Sequence, residues 1–408
     1  MATTTSVDNV RRLNLATFFC LYIAQFIPST FITTAMQVSM RQANYGLATI
    51  GLLHLVHIPW LVKFLWAPMV DRQCSHLASY RRFILLMESV YALSIMCIGF
   101  LDISSDIYFI FVLVFISMFA SATQDIATDG LAVRAFGKGD HSAVNSMQSM
   151  GRYAGAFLGS GIFIVMLDHF GWSVVFPLLG LVAWFMVVPL QFNKKIHIEP
   201  RSPKQRAKLM DFMWFFSRKE IIPHVIFLLL YFMGIIGIIA NVRPYMVDLG
   251  YNMREIGVWF GMVGTATSFV MAWVAHVFIR RIGMYRARLM VAFMIVTAPL
   301  YFLGLTFISP TLPLLVGGLL LVKTCHAFAS IVVYTTAMDC VRDGREGTDF
   351  TIQVVVVHLS SSLISIISGG VGEWLDYRGL YLIELGIALV SLIYVIRVFK
   401  PNQMLAKW

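Results

Sequence analysis

Long, uninterrupted runs of apolar residues, separated by short polar segments, extend along the whole chain. Each run has about the 20 residues that a helix needs to cross the hydrocarbon core of a bilayer. The runs do not alternate in period two, so they predict helices and exclude a membrane β-barrel. Twelve spans are predicted, at 13–40, 47–70, 83–102, 107–135, 143–167, 173–192, 221–246, 253–279, 289–308, 312–338, 349–374 and 379–398.

Composition supports an integral membrane protein. Of the 408 residues, 59% are hydrophobic and only 13% are charged, and the mean hydropathy is +0.78. Soluble domains contain about 45–50% apolar and about 25% charged residues. We therefore expect a multi-pass protein that contacts membrane lipid.

The net charge of +10 could indicate nucleic-acid binding, but the positions of the basic residues indicate membrane topology instead. With the N-terminus assigned to the cytoplasm, nearly all Lys and Arg residues outside the spans fall on the cytoplasmic side. Only Arg41, Arg254 and Arg378 fall in the outer loops. This bias follows the positive-inside rule. Both termini are therefore predicted to be cytoplasmic, and no nucleic-acid partner is expected.

A polar, basic segment after the sixth span divides the chain into two halves. We predict an N-terminal six-helix bundle at 1–192, a cytoplasmic linker at 193–220 and a C-terminal six-helix bundle at 221–408. Three short motifs recur at nearly the same sequence offset in corresponding spans of the two halves, a pattern typical of secondary transporters with a parallel repeat. The paired motifs are 48–51 with 254–257, 127–131 with 337–341, and 167–171 with 375–379.

Charged residues inside the spans are candidates for function, because charge at this depth in a membrane is costly. Lys63 in span two and Glu88 in span three lie at similar depth, which predicts a buried ion pair. The pair could be structural or functional, and Lys63 could instead extend to the inner interface.

Span four carries two acids, Asp125 and Asp129, which share one helix face because they are four residues apart. Arg152 in span five lies at about the depth of Asp125, and we predict that these two form a pair. The pair would either couple transport to protons or act as a permanent salt bridge that holds the helices together. Asp129 lies nearer the inner surface, where Arg72, Arg82 or Arg134 could be its partner, and it is also a proton-coupling candidate.

The second half supplies cations. Lys323 and His326 lie three residues apart in span ten, and Arg243 lies near the outer end of span seven. If these side chains face a cavity, they favour an anionic substrate. For a single histidine, a hydrogen bond between helices is the better interpretation. The polar cavity candidates of the first half are Gln25, Gln124 and Gln148.

Motifs of soluble enzymes are missing from the sequence. It contains no Walker loop, no dinucleotide-binding GxGxxG, no HExxH and no nucleophile elbow. The five cysteines are scattered, without a CxxC pair. No cofactor and no metal site are therefore expected, and uphill transport would use an ion gradient such as that of protons.

Three stretches resemble one branch of a known family: YIAQFIP at 22–28, PWLVKFLWAPMVDR at 59–72 and SATQDIATDGLAV at 121–133. They are similar to the AmpG-like branch of the major facilitator superfamily, which includes muropeptide permeases, acetyl-CoA transporters and siderophore permeases of the rhizobactin and pyochelin type. Within the branch, DIATDGLAVR is closer to the siderophore permeases. Phe26 departs from the pattern, because relatives usually have glycine after the glutamine.

The loop after span two also resembles this superfamily, in which an acid and arginines latch the cytoplasmic side. An acid at a helix end can meet a helix N-terminus or an arginine. We expect Asp71 to act in this way, with Asp129 or Arg134 as its partner. For the arginines, topological anchoring alone is the alternative. The latch candidates are Asp71, Arg72, Arg81, Arg82 and Arg134.

The sequence therefore predicts an all-α membrane protein with the major facilitator superfamily fold, two pseudo-symmetric bundles and twelve transmembrane helices. We expect a secondary transporter, not an enzyme, that works by alternating access. It would be a proton-coupled importer of a medium-sized, anionic small molecule. A siderophore is favoured over a muropeptide or an acetyl-CoA-type solute. A monomer in a bacterial inner membrane is expected, and a receptor or scaffold that binds without translocation is the alternative.

Overall fold

The computed structural model describes residues 2–45, 52–201, 207–208, 210–217 and 221–397, and within these ranges every regular element is a helix. The α-helices are α1 Ala2–Gln42, α2 Ile58–Val62, α3 Ala67–Gln73, α4 Leu77–Ile98, α5 Ile107–Ala135, α6 His141–Phe157, α7 Phe163–Phe170, α8 Trp172–Phe192, α9 Asp211–Phe216, α10 Ile222–Leu230, α11 Met233–Asp248, α12 Met253–Ile256, α13 Gly264–Ile282, α14 Met284–Leu305, α15 Leu312–Asp339 and α16 Glu346–Arg397. The 3₁₀ segments are Leu52–His57, Lys63–Leu65 and Lys138–Asp140, and the π-helical segments are Leu158–Ile162 and Gly257–Val263.

Nine helical stretches in the described part of the chain are long and apolar enough to cross a membrane. They correspond to predicted spans one and four to ten, while spans eleven and twelve both fall within α16. Predicted span three is α4, and predicted span two is broken into short pieces. The count of twelve spans and the cytoplasmic position of the termini therefore stay predictions.

Two backbone breaks occur at corresponding motifs of the proposed repeat. In the first half, Gly171 separates α7 from α8 with a φ of 76°. In the second half, α16 bends at Asp376, where φ is 55°. Positive φ is freely available to glycine and uncommon for other residues, so both positions mark a change of chain direction. The repeat motif at 48–51 lies outside the described residues.

Contacts along the chain define two compact units. Unit 1 extends to Phe212 and also includes Arg342–Thr351, while unit 2 comprises Met213–Val341 and the residues from Ile352 onward. The segment Arg342–Thr351 lies between predicted spans ten and eleven in sequence. Unit 1 therefore contains a short piece of the second half of the chain, and the boundaries predicted at 192 and 220 stay predictions.

Glycines bring α6 close to α1 in unit 1. A Cβ atom added at Gly155 would lie 2.6 Å from Cβ of Phe26 and 3.0 Å from the backbone nitrogen of Ile27. Glycine is the residue that permits two helix backbones to approach this closely. Side chains that flank this seam are consequently held in fixed positions relative to α1.

The breaks in predicted span two determine where Lys63 points. Pro59 and Pro68 lie in the first turns of α2 and α3, and a 3₁₀ turn at Lys63–Leu65 separates the two helices. Proline lacks a backbone donor and clashes with the carbonyl four residues earlier, which disfavours a continuous helix. The amide of Trp66 instead donates to the carbonyl of Lys63 at 3.3 Å, across three residues.

Candidate functional site

Lys63 and Asp125 form a buried ion pair at this break. Lys63 is completely buried and Asp125 is 3% exposed. The ammonium of Lys63 donates a hydrogen bond to Oδ2 of Asp125 and lies 4.6 Å from the centre of the Trp60 ring. The face of an aromatic ring is a second favourable neighbour for a cation. The charge that interrupts the apolar run is therefore neutralised within unit 1.

The predicted pairing of Lys63 with Glu88 is wrong. The carboxylate of Glu88 accepts a hydrogen bond of 2.8 Å from Nε2 of Gln124. Both α4 and the pieces of predicted span two pack against α5, which carries Gln124 and Asp125. Consecutive residues of a helix point about 100° apart, so the two side chains face different neighbours. Similar depth did not determine the direction around the helix axis.

Asp129 lies one turn along α5 from Asp125 and is completely buried. Its Oδ1 accepts hydrogen bonds from the hydroxyl of Tyr22 at 2.9 Å and from Nε2 of Gln148 at 3.1 Å. Its Oδ2 has no hydrogen-bond partner among the described residues. The expectation that Asp129 pairs with arginines at the inner surface is wrong, because its side chain faces α1 and α6.

The predicted pair of Asp125 and Arg152 is not formed either. The guanidinium of half-buried Arg152 lies 5.2 Å from the centre of the Phe26 ring, and the ion pairs among the described residues do not include it. Asp125 instead forms its ion pair with Lys63. Phe26, the residue that departs from the family pattern, therefore provides the aromatic ring that Arg152 contacts.

Gln25 is a further buried polar side chain near this cluster. It is completely buried, and neither polar atom of its amide has a hydrogen-bond partner in the part of the chain that the structure describes. The hydroxyl of Tyr91 donates to its backbone carbonyl at 3.1 Å. An amide in this state retains its capacity to bind a polar ligand.

Asp71 contacts the beginning of α16. Its Oδ1 accepts a hydrogen bond from the amide of Gly347 at 3.1 Å, and its Oδ2 accepts from the amide of Thr348 at 2.6 Å and from the Thr348 hydroxyl at 2.7 Å. Of the two kinds of partner left open for this acid, a helix N-terminus and an arginine, these bonds are to a helix N-terminus, where they satisfy amides that lack partners within the helix. The predicted partners Asp129 and Arg134 are wrong.

The arginine beside Asp71 is Arg201, from the predicted linker. Nη1 of Arg201 lies 3.8 Å from Oδ1 of Asp71, and Nη2 donates to the carboxylate of Glu346. Burial raises the pKa of Asp71 to about 6, while the charge of Arg201 and the hydrogen bonds from Thr348 lower it. Arg201 was missed because nothing in the sequence distinguishes it from the other basic residues of the linker.

The predicted latch arginines bind backbone carbonyls or are exposed. Arg81 donates to the carbonyl of Asn193 at 2.6 Å. Arg134 donates to the carbonyl of Ser75 at 3.3 Å and to that of Glu199, while Arg72 and Arg82 are exposed. Arg81 and Arg134 therefore hold the beginning of the linker against unit 1, and they do not contact Asp71.

In unit 2, two of the predicted cavity cations lie on one aromatic ring. Nζ of Lys323 is 4.1 Å from the centre of the Phe260 ring, and the guanidinium carbon of Arg243 is 4.0 Å from it. His326, on the same helix as Lys323, lies 5.5 Å from the Phe232 ring. The structure thus brings Arg243 and Lys323 into one cluster.

Comparison with known proteins identifies the family of this chain. The sequence profile of the Major Facilitator Superfamily matches residues 15–363. The chain belongs to the Major Facilitator Superfamily. Members of this superfamily are transporters, and the nine long apolar helices of the described part of the chain indicate an integral, multi-pass membrane protein. Its resemblance to the AmpG-like branch is also confirmed.

Solved structures of the superfamily share the fold. FucP in the outward conformation matches with a TM-score of 0.73 and 13% identity over 95% of this chain and 98% of that one. The proton:xylose symporter XylE matches with a TM-score of 0.70 and 10% identity over 95% of both chains. At these identities the likeness establishes the fold alone.

Sequence relatives include permeases. The anhydromuropeptide permease of Escherichia coli K12 is 24% identical over 283 residues, which are 67% of this chain and 57% of that protein. The chain therefore spans a little over half the length of this relative. A Rickettsia prowazekii protein that bears the name AmpG 3 is 23% identical over 390 residues, 90% of each chain.

Proposed function

We propose that this transporter is a proton-coupled permease that moves a medium-sized, anionic solute by alternating access. The observation that carries the proposal is the buried cluster of unit 1, in which Asp125 and Asp129 share a helix face and one of them is bonded to Lys63. Ionisable residues at this depth are costly and serve as proton relays in transporters.

Asp129 is the proposed carrier of the proton. Both neutral donors to Asp129 bind Oδ1, and Oδ2 is open. A proton on Oδ2 would leave both existing hydrogen bonds intact. With Asp129 neutral, Asp125 would be the one carboxylate that balances the charge of Lys63. Release of the proton from Asp129 would add a second negative charge one helical turn away. The two carboxylates would then compete for one ammonium, which links proton occupancy to the contact between predicted span two and α5.

The proposed solute is of the anhydromuropeptide class, a sugar–peptide conjugate with free carboxylates. The name of the Escherichia coli relative supports this choice, and Lys323 and Arg243 in unit 2 suit an anion. A ferric siderophore is the second candidate, because DIATDGLAVR resembles the corresponding stretch of siderophore permeases. Uptake of the two solutes is measured separately in the experiment below.

Uptake into proteoliposomes tests the proposal. Purified protein is reconstituted, a pH gradient is imposed, and accumulation of a labelled anhydromuropeptide or ferric siderophore is measured. We expect the wild-type protein to accumulate one of these solutes in response to the gradient. Asp129→Asn should lose accumulation and retain exchange of labelled for unlabelled solute, because exchange needs no net proton movement.

Glu88→Gln is the matched control, since it also neutralises a completely buried carboxylate, but one that lies on α4 and not on the face of α5 that carries Asp125 and Asp129. This variant should still follow the gradient. If Glu88→Gln loses the response and Asp129→Asn keeps it, the assignment of the proton site is wrong. Equal uptake with and without a gradient in the wild-type protein would contradict proton coupling itself.

A further inference from the structure

The cluster of Arg243, Phe260 and Lys323 contains two cations and no anion. Both charged groups lie within about 4 Å of one ring centre, so they are at most about 8 Å apart. No ion pair found among the described residues includes Arg243 or Lys323. Lys323 is half-buried and Arg243 is exposed, and two like charges at this separation repel.

The local structure holds these groups together. Phe260 is 6% exposed and lies in the π-helical segment Gly257–Val263, between α12 and α13. Such segments insert an extra residue into a helical turn and occur frequently at functional sites. Directly after it, a Cβ atom added at Gly264 would lie 3.3 Å from Cε of Lys323. The stem of Lys323 therefore runs along the beginning of α13 and brings its ammonium to the ring.

We infer that Arg243 and Lys323, held on Phe260, form an anion subsite in unit 2 that binds a carboxylate of the transported solute. The inference rests on the proposed anionic solute and extends it by assigning where the charge is recognised. The π-system of the ring stabilises both cations but supplies no full negative charge. A carboxylate can accept hydrogen bonds from a guanidinium and an ammonium together, and both bonds are charge-assisted. Phosphate has the same chemistry, so it serves as a second probe.

Binding to purified protein in nanodiscs of zwitterionic lipid tests the subsite. The ligands are an anhydromuropeptide with free carboxylates and the same compound with its carboxylates converted to amides, and calorimetry gives the affinities. Arg243→Gln and Lys323→Gln should each weaken binding of the acid about tenfold or more. Neither should change binding of the amide. Lys323→Arg should retain most of the affinity for the acid, because it keeps the charge.

Arg378→Gln provides the matched control. Arg378 lies 4.3 Å from the centre of the Phe307 ring, so this variant also removes an arginine from a phenylalanine ring in unit 2. It should bind the acid like the wild-type protein. Wild-type affinity of Arg243→Gln and Lys323→Gln for the acid, or an equal loss for the acid and the amide, would overturn the subsite.

A second measurement separates the subsite from the identity of the solute. Acylation of Lys323 by a lysine-selective reagent is followed by peptide mass spectrometry, with succinate, inorganic phosphate or neutral succinamide present. The two anions should slow the reaction in the wild-type protein but not in Arg243→Gln, and succinamide should have no effect. If the wild-type protein binds no muropeptide and the anions still protect Lys323, the proposed solute is wrong and the subsite stands.

Absence of protection by either anion would overturn the subsite. Repetition in nanodiscs that contain anionic lipid identifies the source of the anion. If the lipid alone protects Lys323 and the soluble anions do not, a lipid headgroup is the occupant and the proposed solute subsite is contradicted.

Discussion

In unit 1, Lys63 is bonded to Asp125, Asp129 accepts two hydrogen bonds, and Glu88 accepts one from an amide. In unit 2, Lys323 and Arg243 share a phenylalanine ring, and no carboxylate pairs with either among the described residues. A completely buried lysine, Lys63, and a half-buried lysine, Lys323, thus differ in how their charges are balanced. The first cluster contains its own counter-ion, whereas the cations of the second pair with no carboxylate among the described residues, which is why we infer that the second binds an anion from outside the protein.

Removal of the lysine from each cluster gives the largest expected difference. Lys63→Met leaves Asp125 buried without its cation, and breaking a buried ion pair in this way costs about 3–5 kcal/mol. Lys323→Met removes one of two like charges and should leave the free energy of unfolding nearly unchanged. Equilibrium unfolding in detergent micelles, followed by circular dichroism, measures both values.

The double variant Lys63→Met with Asp125→Asn serves as the control for this measurement. It removes both members of the pair, so it should recover a large part of the loss caused by Lys63→Met alone. If Lys323→Met proves as destabilising as Lys63→Met, the two clusters do not differ in the way described above.

Gly155, at the seam between α1 and α6, and Gly264, beside Lys323, should differ in their tolerance of a methyl group. Gly155→Ala brings a Cβ within 3.0 Å of the backbone of α1, where overpacking costs about 1–3 kcal/mol. Gly264→Ala contacts mainly the flexible stem of Lys323, at 3.3 Å, and should change the free energy of unfolding little. The same unfolding experiment checks both, and equal losses would mean that the surroundings of Gly264 are as tightly packed as the seam between α1 and α6.

The smallest expected effect concerns Asp71, which lies just beyond predicted span two. Burial raises the pKa of Asp71 to about 6, whereas an exposed aspartate has a pKa of about 3.9. Asp71 therefore binds a proton more tightly when it contacts α16 than when that contact is broken. A fall in pH from 7 to 5 should therefore stabilise the contact with α16 by roughly 1 kcal/mol, and this stabilisation is lost as the pH rises through about 6.

Hydrogen exchange at the amides of Gly347 and Thr348, corrected for the intrinsic rate at each pH, measures this effect. Asp71→Asn is the control. The asparagine side chain does not titrate, so exchange at Gly347 and Thr348 should show no such pH dependence in this variant. Slower exchange at pH 7 than at pH 5 in the wild-type protein would reverse the sign and contradict the expected pH dependence.

The fold was predictable because its main determinant is periodic and local. Apolar runs of spanning length predicted most helices within a few residues, and they could be read without knowledge of any contact. The exception is predicted span two, which the structure breaks into short helices that have Pro59 and Pro68 in their first turns, so the apolar run did not predict the direction of the Lys63 side chain. The motif pattern was sufficient for the superfamily, which the comparison confirmed.

The members of the charged clusters were predictable, but their partners in unit 1 were not. Depth in a membrane selected Lys63, Glu88 and Asp125 correctly as buried groups, since burial of charge follows from the apolar runs around them. Which residue becomes the partner depends on the rotation of each helix about its axis. The depth of a residue in the membrane gives no information about this rotation. Arg201 and Gly347 were missed because contacts between distant parts of the chain leave no local signal.

The cap that Asp71 places on α16 has a consequence for biosynthesis. The two partners in the bond from the amide of Gly347 are 276 residues apart in the chain. At about 5–20 residues per second, a ribosome needs roughly 15–60 s to pass from one to the other. Throughout that interval the carboxylate of Asp71 has no amide of α16 to bind. Unit 1 therefore acquires the hydrogen bonds from Gly347 and Thr348 only after most of unit 2 has been synthesised.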